Sequence, residues 1–270
     1  MPIIKAASGI EWNYYLEGEE HSQVLFFIHG WGVDGRIWRQ QVKYFSQNFK
    51  VLSIDLPGHG QSSWQKVPLR VMAEDVRQVL GDLNISRLTV VASSLGGLLA
   101  FKFYETSPQV FERLILVGSM PKFSKSADHP HGLDVAQMRK LGGQLNTAYP
   151  SIINIFFRSL FTQHERESRR FKWLQKFRET DTLPMRQALA EYLDILEQED
   201  LRHVLKDMRL PVQIINGFED QICTRETVAY IQAALPQVRV DYFKQCGHFP
   251  FLSKPHEFNQ VVDNFLKDTK

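Results

Sequence analysis

The chain has 270 residues, 43% of them hydrophobic and 23% charged, and a formal net charge of +2. That length can bury one large α/β core, while so small a net charge lacks the basic excess of a nucleic-acid binder. No run approaches the roughly 20 apolar residues that span a bilayer, and Cys223 and Cys246 set up no disulfide framework.

Val24 to Ile28 is a continuous apolar run closed by a Gly-containing loop, the pattern of a strand buried on both faces. Behind Asp34, an N-cap candidate, Trp38, Val42 and Phe45 recur at helical spacing. Lys50 to Ile54 reads as another strand, broken by Pro57-Gly58-His59-Gly60. Leu88 to Ala92 is a strand that runs at once into a helix through Phe103, and Leu114 to Val117 repeats the apolar pattern. From about Ser119 to Glu199 the strand signal stops, and Ile152, Ile155, Phe156 and Leu160 fall at helical spacings. After Pro211 the alternation resumes with strand Val212 to Ile215, helix Thr227 to Ala234, strand Val238 to Phe243 and a closing helix from about Pro255. The expectation is an α/β fold with a mostly parallel sheet. Residues 1–118 and 200–270 form its core, and 119–199 are an inserted helical cap.

Ala92-Ser93-Ser94-Leu95-Gly96-Gly97 joins a strand to a helix with small residues on both sides of a serine. A nucleophile elbow needs this, because the serine sits on a strained turn where bulky neighbours would clash. Ser94 has Ala92 two before and Gly96 two after, whereas Ser93 would have Val91 and Leu95, so Ser94 is the candidate nucleophile. A serine hydroxyl attacks at neutral pH only when a base takes its proton, and a carboxylate must hold that base in the right tautomer. In such folds the acid and the histidine follow the last strands in the order Ser, acid, His. His248 follows the strand ending near Phe243, and both Asp220 and Glu219 follow the strand Val212 to Ile215. The Gly-x-x-Asp spacing common in such folds favours Asp220, leaving Glu219 as a surface carboxylate. His29 reads as a structural hydrogen-bonder, while His21, His129, His131, His164, His203 and His256 are expected at the solvent-exposed surface. His29-Gly30-Trp31-Gly32 follows the first apolar strand, where a second oxyanion N–H is required. Trp31 and Leu95 are the candidate donors.

His-Gly-Trp-Gly, the stretch Asp55-Leu56-Pro57-Gly58-His59-Gly60-Gln61-Ser62, the Ser94 elbow, Asp220 and His248 together resemble the α/β-hydrolase superfamily. Within it the chain is similar, over nearly its whole length, to the carboxylesterases of biotin synthesis that demethylate pimeloyl-acyl carrier protein methyl ester. Supporting stretches are Ser94 to Leu98, Gly118 to Ser124, Leu193 to Leu196 and Asp200 to Arg202. The resemblance implies a substrate pocket made by Trp31, Ser94, Leu95, Phe156, Phe157, Arg158, Ser159, Leu160 and His248. It implies hydrolysis of a carrier-bound or small-molecule ester, with no cofactor and no metal. The opening Met1-Pro2-Ile3-Ile4-Lys5 does not read as a signal peptide, so a cytoplasmic monomer with no membrane or nucleic-acid partner is expected.

Between Arg158 and Arg178 lie seven basic residues (Arg158, Arg166, Arg169, Arg170, Lys172, Lys176, Arg178) and two acidic ones, Glu165 and Glu167. On a helix Arg169, Lys172 and Lys176 share one face, opposite Phe171, Leu174 and Phe177. They are candidate docking residues for an acidic carrier. Other readings are a general short-chain esterase, a C–C bond hydrolase, and a non-catalytic binding protein of the same fold. An intact triad disfavours the last.

Overall fold

The computed structural model describes residues 2–177 and 183–269, with the side chains of Lys176 and Phe177 outside that description. Its sheet has eight strands: β1 (Ile3–Lys5), β2 (Glu11–Glu17), β3 (Val24–Ile28), β4 (Lys50–Ile54), β5 (Leu88–Ser93), β6 (Phe111–Val117), β7 (Val212–Gly217) and β8 (Arg239–Phe243). Their order is β1-β2-β4-β3-β5-β6-β7-β8. β1 and β2 pair antiparallel and β2 meets β4 antiparallel, while every pairing from β4 through β8 is parallel. Every residue of β3 and β5 is buried, which is why these strands read as unbroken apolar runs.

Side chains alternate between two cores, as a period of two requires. Phe26, Ile28, Val90, Ala92, Leu114 and Leu116 face one side, against α2 (Leu69–Asp82) and α3 (Leu95–Thr106). Leu25, Phe27, Val51, Val91, Ile115 and Val117 face the other. There they meet α1 (Arg39–Phe45) and α11 (Pro255–Asp268) through Val42, Phe45, Phe258 and Val262. Asp34 caps the short 3₁₀ turn ahead of α1, its carboxylate accepting the Arg36 N–H.

Between β6 and β7 the chain forms α4 (Val135–Ala148), α5 (Ser151–Ser159), α6 (Gln163–Glu167), α7 (Arg169–Phe177) and α8 (Arg186–Gln198). The two ends of this helical segment are tied together. Leu201 N–H donates to Pro121 O at 2.9 Å, and Lys122 pairs with Asp200 at 3.0 Å. In α7, Phe171 and Leu174 are buried while Arg169 and Lys172 are exposed, as their spacing predicts. α9 (Arg225–Ala234) links β7 to β8, and α10 (Pro250–Ser253) precedes α11. No helix among the described residues is long and apolar enough to cross a membrane.

Two expectations need amendment. β1, β2 and α2 are additional elements; β2 mixes polar and apolar residues and gives no apolar run. His129, expected at the surface, is buried, with Nε2 3.1 Å from Lys122 O and its ring against Tyr230.

Candidate active site

β5 delivers Ser93 and α3 starts at Leu95, leaving Ser94 alone at the corner with φ 53° and ψ −121°. A non-glycine residue is held at positive φ only where its surroundings impose it. Here they do: Ser94 N–H donates to Val117 O at 3.0 Å, and Ser94 O accepts Ser119 Oγ–H at 2.7 Å. The close packing excludes side chains on the helix start. A Cβ on Gly96 would stand 2.5 Å from His29 O, and one on Gly97 2.0 Å from Ser119 Oγ. Ser93 is fully buried, which closes the neighbouring serine off from substrate, and among the described residues its Oγ has no hydrogen-bond partner.

Asp220 follows β7 and His248 follows β8. Their side chains are 0% and 3% exposed, with Asp220 Oδ2 2.8 Å from His248 Nδ1. Asp220 Oδ1 accepts the N–H groups of Ile222 at 2.8 Å and Cys223 at 3.2 Å, so the carboxylate is anchored at both oxygens. Glu219 is exposed, yet its carboxylate braces the loop that carries His248, accepting Cys246 N–H at 2.9 Å and Gln245 N–H at 3.3 Å. Gly118, at φ +56°, leaves room for the pair. A Cβ there would lie 2.8 Å from His248 Nδ1 and 3.1 Å from Asp220 Oδ2.

The loop after β3 lies beside Ser94. A Cβ on Gly30 would approach Ser94 Cβ to 3.0 Å, which is why this backbone can come so near. Gly32 N–H is engaged by His59 Nε2 at 3.3 Å. Leu95 opens α3, so its N–H has no intrahelical acceptor. Among the described residues, neither it nor the Trp31 N–H donates to a carbonyl in the turns and loops. The Trp31 indole N–H donates to Leu189 O of α8 at 3.0 Å, and its ring meets Phe156 edge-on at 4.9 Å. His29 takes the structural part expected of it, with Nε2 accepting Leu56 N–H at 2.8 Å and Nδ1 donating to Gly30 O. His59 is buried, and that burial, followed by neighbouring His29, pushes its imidazole down to about 3. Burial pushes the thiols of Cys223 and Cys246 up, so neither offers a thiolate to compete with Ser94.

Ser94 and His248 open into one pocket of about 520 Å³, counting its mouth, between the sheet and the helical segment. Of the residues expected to form it, Trp31, Ser94, Phe156, Leu160 and His248 line its wall, and Leu95 is buried beneath. Phe157 turns into the packing of Phe161 and Phe249. Arg158 and Ser159 are exposed and do not line the pocket; Arg158 sits over the Phe171 ring, and Ser159 Oγ donates to Phe156 O. The remaining wall is Gly30, Phe123, Leu133, Met138, Leu141, Leu193, Leu196, Ile222 and Phe249, none of which sequence reasoning assigned to the pocket. Met138 and Leu141 share a face of α4, as Leu193 and Leu196 do of α8. That spacing marks a buried face without saying whether it meets a core or a pocket.

Of the candidate docking residues, Arg169 and Lys172 are exposed on α7. Lys176, through its side chain, and Arg178 lie outside the described residues. Arg170 differs from them: its guanidinium donates to Leu252 O and, at 2.8 Å, to Gln40 Oε1. Arg166 likewise donates to Phe161 O at 2.7 Å.

Residues 23–255 match the alpha/beta hydrolase fold family. A pimeloyl-[acyl-carrier protein] methyl ester esterase of Nitrosomonas europaea is 31% identical over 251 residues, covering 93% of this chain and 98% of that one. Its counterpart in Aliivibrio fischeri is 29% identical over 254 residues, covering 94% and 97%. Among solved structures, an esterase from Exiguobacterium antarcticum superposes with a TM-score of 0.90 at 22% identity, over 98% of each chain. An enol-lactonase from Burkholderia xenovorans gives a TM-score of 0.87 at 20% identity, over 98% of this chain and 100% of that one. At these identities the structural likeness concerns the fold.

Proposed function

The chain belongs to the alpha/beta hydrolase fold family, and on that premise we propose that it is a serine carboxylesterase that hydrolyses the methyl ester of pimeloyl-acyl carrier protein. The chemistry rests on one observation above the others: His248, held at 2.8 Å by the buried Asp220, lines the same pocket as Ser94. The substrate assignment rests on the 31% identical relative, which aligns over almost its full length.

In this reading Ser94 Oγ attacks the ester carbonyl carbon while His248 Nε2 takes the hydroxyl proton. The carbonyl oxygen becomes an oxyanion held by the N–H groups of Trp31 and Leu95. Collapse breaks the C–O bond to the methoxy group, which leaves as methanol with the proton from His248, and the acyl group stays on Ser94. Water then attacks this acyl-enzyme, deprotonated by the same imidazole, and the freed carboxylate departs as Ser94 regains its proton. Asp220 keeps the Nδ1 proton in place and stabilises the imidazolium at each stage.

The helices between β6 and β7 serve as the cap of residues 119–199 over the core of 1–118 and 200–270. Phe156 and Leu160 hold the acyl chain, with Phe157 packing behind them, and Arg158 and Ser159 belong to the rim. Arg169, Lys172 and Lys176 receive the acidic carrier. The test is growth. The gene should restore a biotin-requiring strain that lacks its own esterase, and its Ser94→Ala form should not. Failure of the intact gene, with the protein expressed and active on simple esters, would leave a general short-chain esterase.

A further inference from the structure

Glu165 lies on α6, in the helical segment between β6 and β7, yet it is only 6% exposed. Among the described residues no lysine or arginine pairs with it. Its bonds go to neutral donors instead. Oε2 accepts Thr162 N–H at 2.6 Å and Gly247 N–H at 3.0 Å, and Oε1 accepts the Ser253 hydroxyl. The Thr162 bond completes a capping box, in which Thr162 Oγ1 accepts Glu165 N–H at 3.1 Å. A capping box needs no burial and no partner outside its own helix. The other two bonds leave the segment and grip the chain on both sides of His248. Close by, His248 N–H donates to Leu160 O at 2.8 Å. The contact is tight, for a Cβ on Gly247 would stand 2.3 Å from Leu160 O and 3.2 Å from Glu165 Oε2.

We propose that Glu165 is a positioning residue for His248: it fixes the backbone of the histidine loop from the helical segment, so the imidazole is aligned with Ser94 only while that segment is seated. This rests on the reading of His248 as the base. Asp220 sets the tautomer, and Glu165 sets the place of the backbone from which the ring projects. Alignment of the base is then common to every substrate, so small and carrier-bound esters suffer alike when the link is lost.

The test compares Glu165→Ala, Glu165→Gln, Thr162→Ala and His248→Ala for kcat, KM and Tm with p-nitrophenyl acetate. Glu165→Ala should lower kcat on the order of 10²-fold, the scale of an ångström-level misplacement, with KM little changed. Glu165→Gln should restore most of kcat, because its carbonyl can take both N–H donors while its amide donates to Ser253 Oγ. Thr162→Ala removes one half of the capping box without touching the Gly247 link, and should lower Tm alone. If Glu165→Ala does not fold, Glu165→Asp replaces it, too short by a methylene to reach both Thr162 and Gly247, and should lower kcat in the same sense. Wild-type kcat in the folded Ala or Asp variant overturns the proposal, as does an equal fall in Thr162→Ala. Wild-type turnover by His248→Ala would overturn the assignment of the base itself, and this inference with it.

Discussion

Asp220 divides its two oxygens between His248 and its own loop: Oδ2 lies 2.8 Å from His248 Nδ1, and Oδ1 accepts the N–H groups of Ile222 and Cys223. The carboxylate is thereby fixed before any substrate arrives. Glu219, its neighbour in sequence, instead braces the backbone of Gln245 and Cys246.

Asp220→Asn should lower kcat by about 10⁴-fold, since an amide can hold the imidazole in the wrong tautomer without disturbing its place. Glu219→Gln retains a carbonyl oxygen for Cys246 N–H and should keep kcat near wild type. Steady-state kinetics on a p-nitrophenyl ester would check both. A crippled Glu219→Gln beside an active Asp220→Asn would reverse the assignment.

Gly118→Ala should also harm turnover, although the added methyl touches no substrate. It would press within 2.8 Å of His248 Nδ1 from a backbone already at φ +56°. The displaced ring should cost kcat on the order of 10²-fold, with a smaller effect on KM. Kinetics together with Tm would separate this from general unfolding, and a folded variant with wild-type kcat would refute it.

His59 should make the fold sensitive to acid. Its imidazole is held at about 3 by burial and by His29, against 6.5 when unperturbed. Between those values the unfolded chain binds a proton that the folded chain refuses, so stability rises with pH at about 1.4 kcal/mol per pH unit for each such group. This stability is complete above about 6.5 and is lost as pH falls toward 3. Burial pushes His29 in the same direction. Tm should therefore decline steadily below pH 6.5. His59→Gln, whose carbonyl can accept Gly32 N–H without titrating, should flatten the decline. Parallel profiles for the two proteins would exclude His59 as a cause.

The strands that build the sheet were legible because β3 and β5 are buried on both faces and their residues are apolar without interruption. β2 was not, since Glu11–Glu17 mixes tyrosines and tryptophan with charged ends and is only partly buried. The elbow and its partners could be read from local chemistry: small residues around Ser94, and acid and histidine after successive strands. Gly118 and Glu165 could not. Their meaning lies in His248, more than eighty residues away from either in sequence, and the local Thr162-x-x-Glu165 pattern marks only a capping box, not a hold on the histidine loop.

Charge reversal on α7 would test carrier docking. Changing Arg169, Lys172 and Lys176 together to Glu should raise KM for the carrier-bound ester and leave a small free ester almost unaffected. Added salt should narrow the wild-type advantage, because exposed charges are screened beyond about 8 Å at 0.15 M. Arg166 and Arg170 stay unchanged in this experiment, since both bond to backbone carbonyls and their loss would confound charge with packing. Equal slowing of both substrates would show that the strip is an ordinary solvated helix face.

The most direct measurement is hydrolysis of purified pimeloyl-acyl carrier protein methyl ester, followed by mass spectrometry of the intact carrier and by methanol release. The native chain and its Ser93→Ala form should convert the ester to the free carboxylate, the carrier losing the mass of one methylene, while Ser94→Ala should leave it untouched. Conversion that survives in Ser94→Ala, or a native chain that cleaves free esters but not this one, would contradict a carrier-ester esterase acting through Ser94.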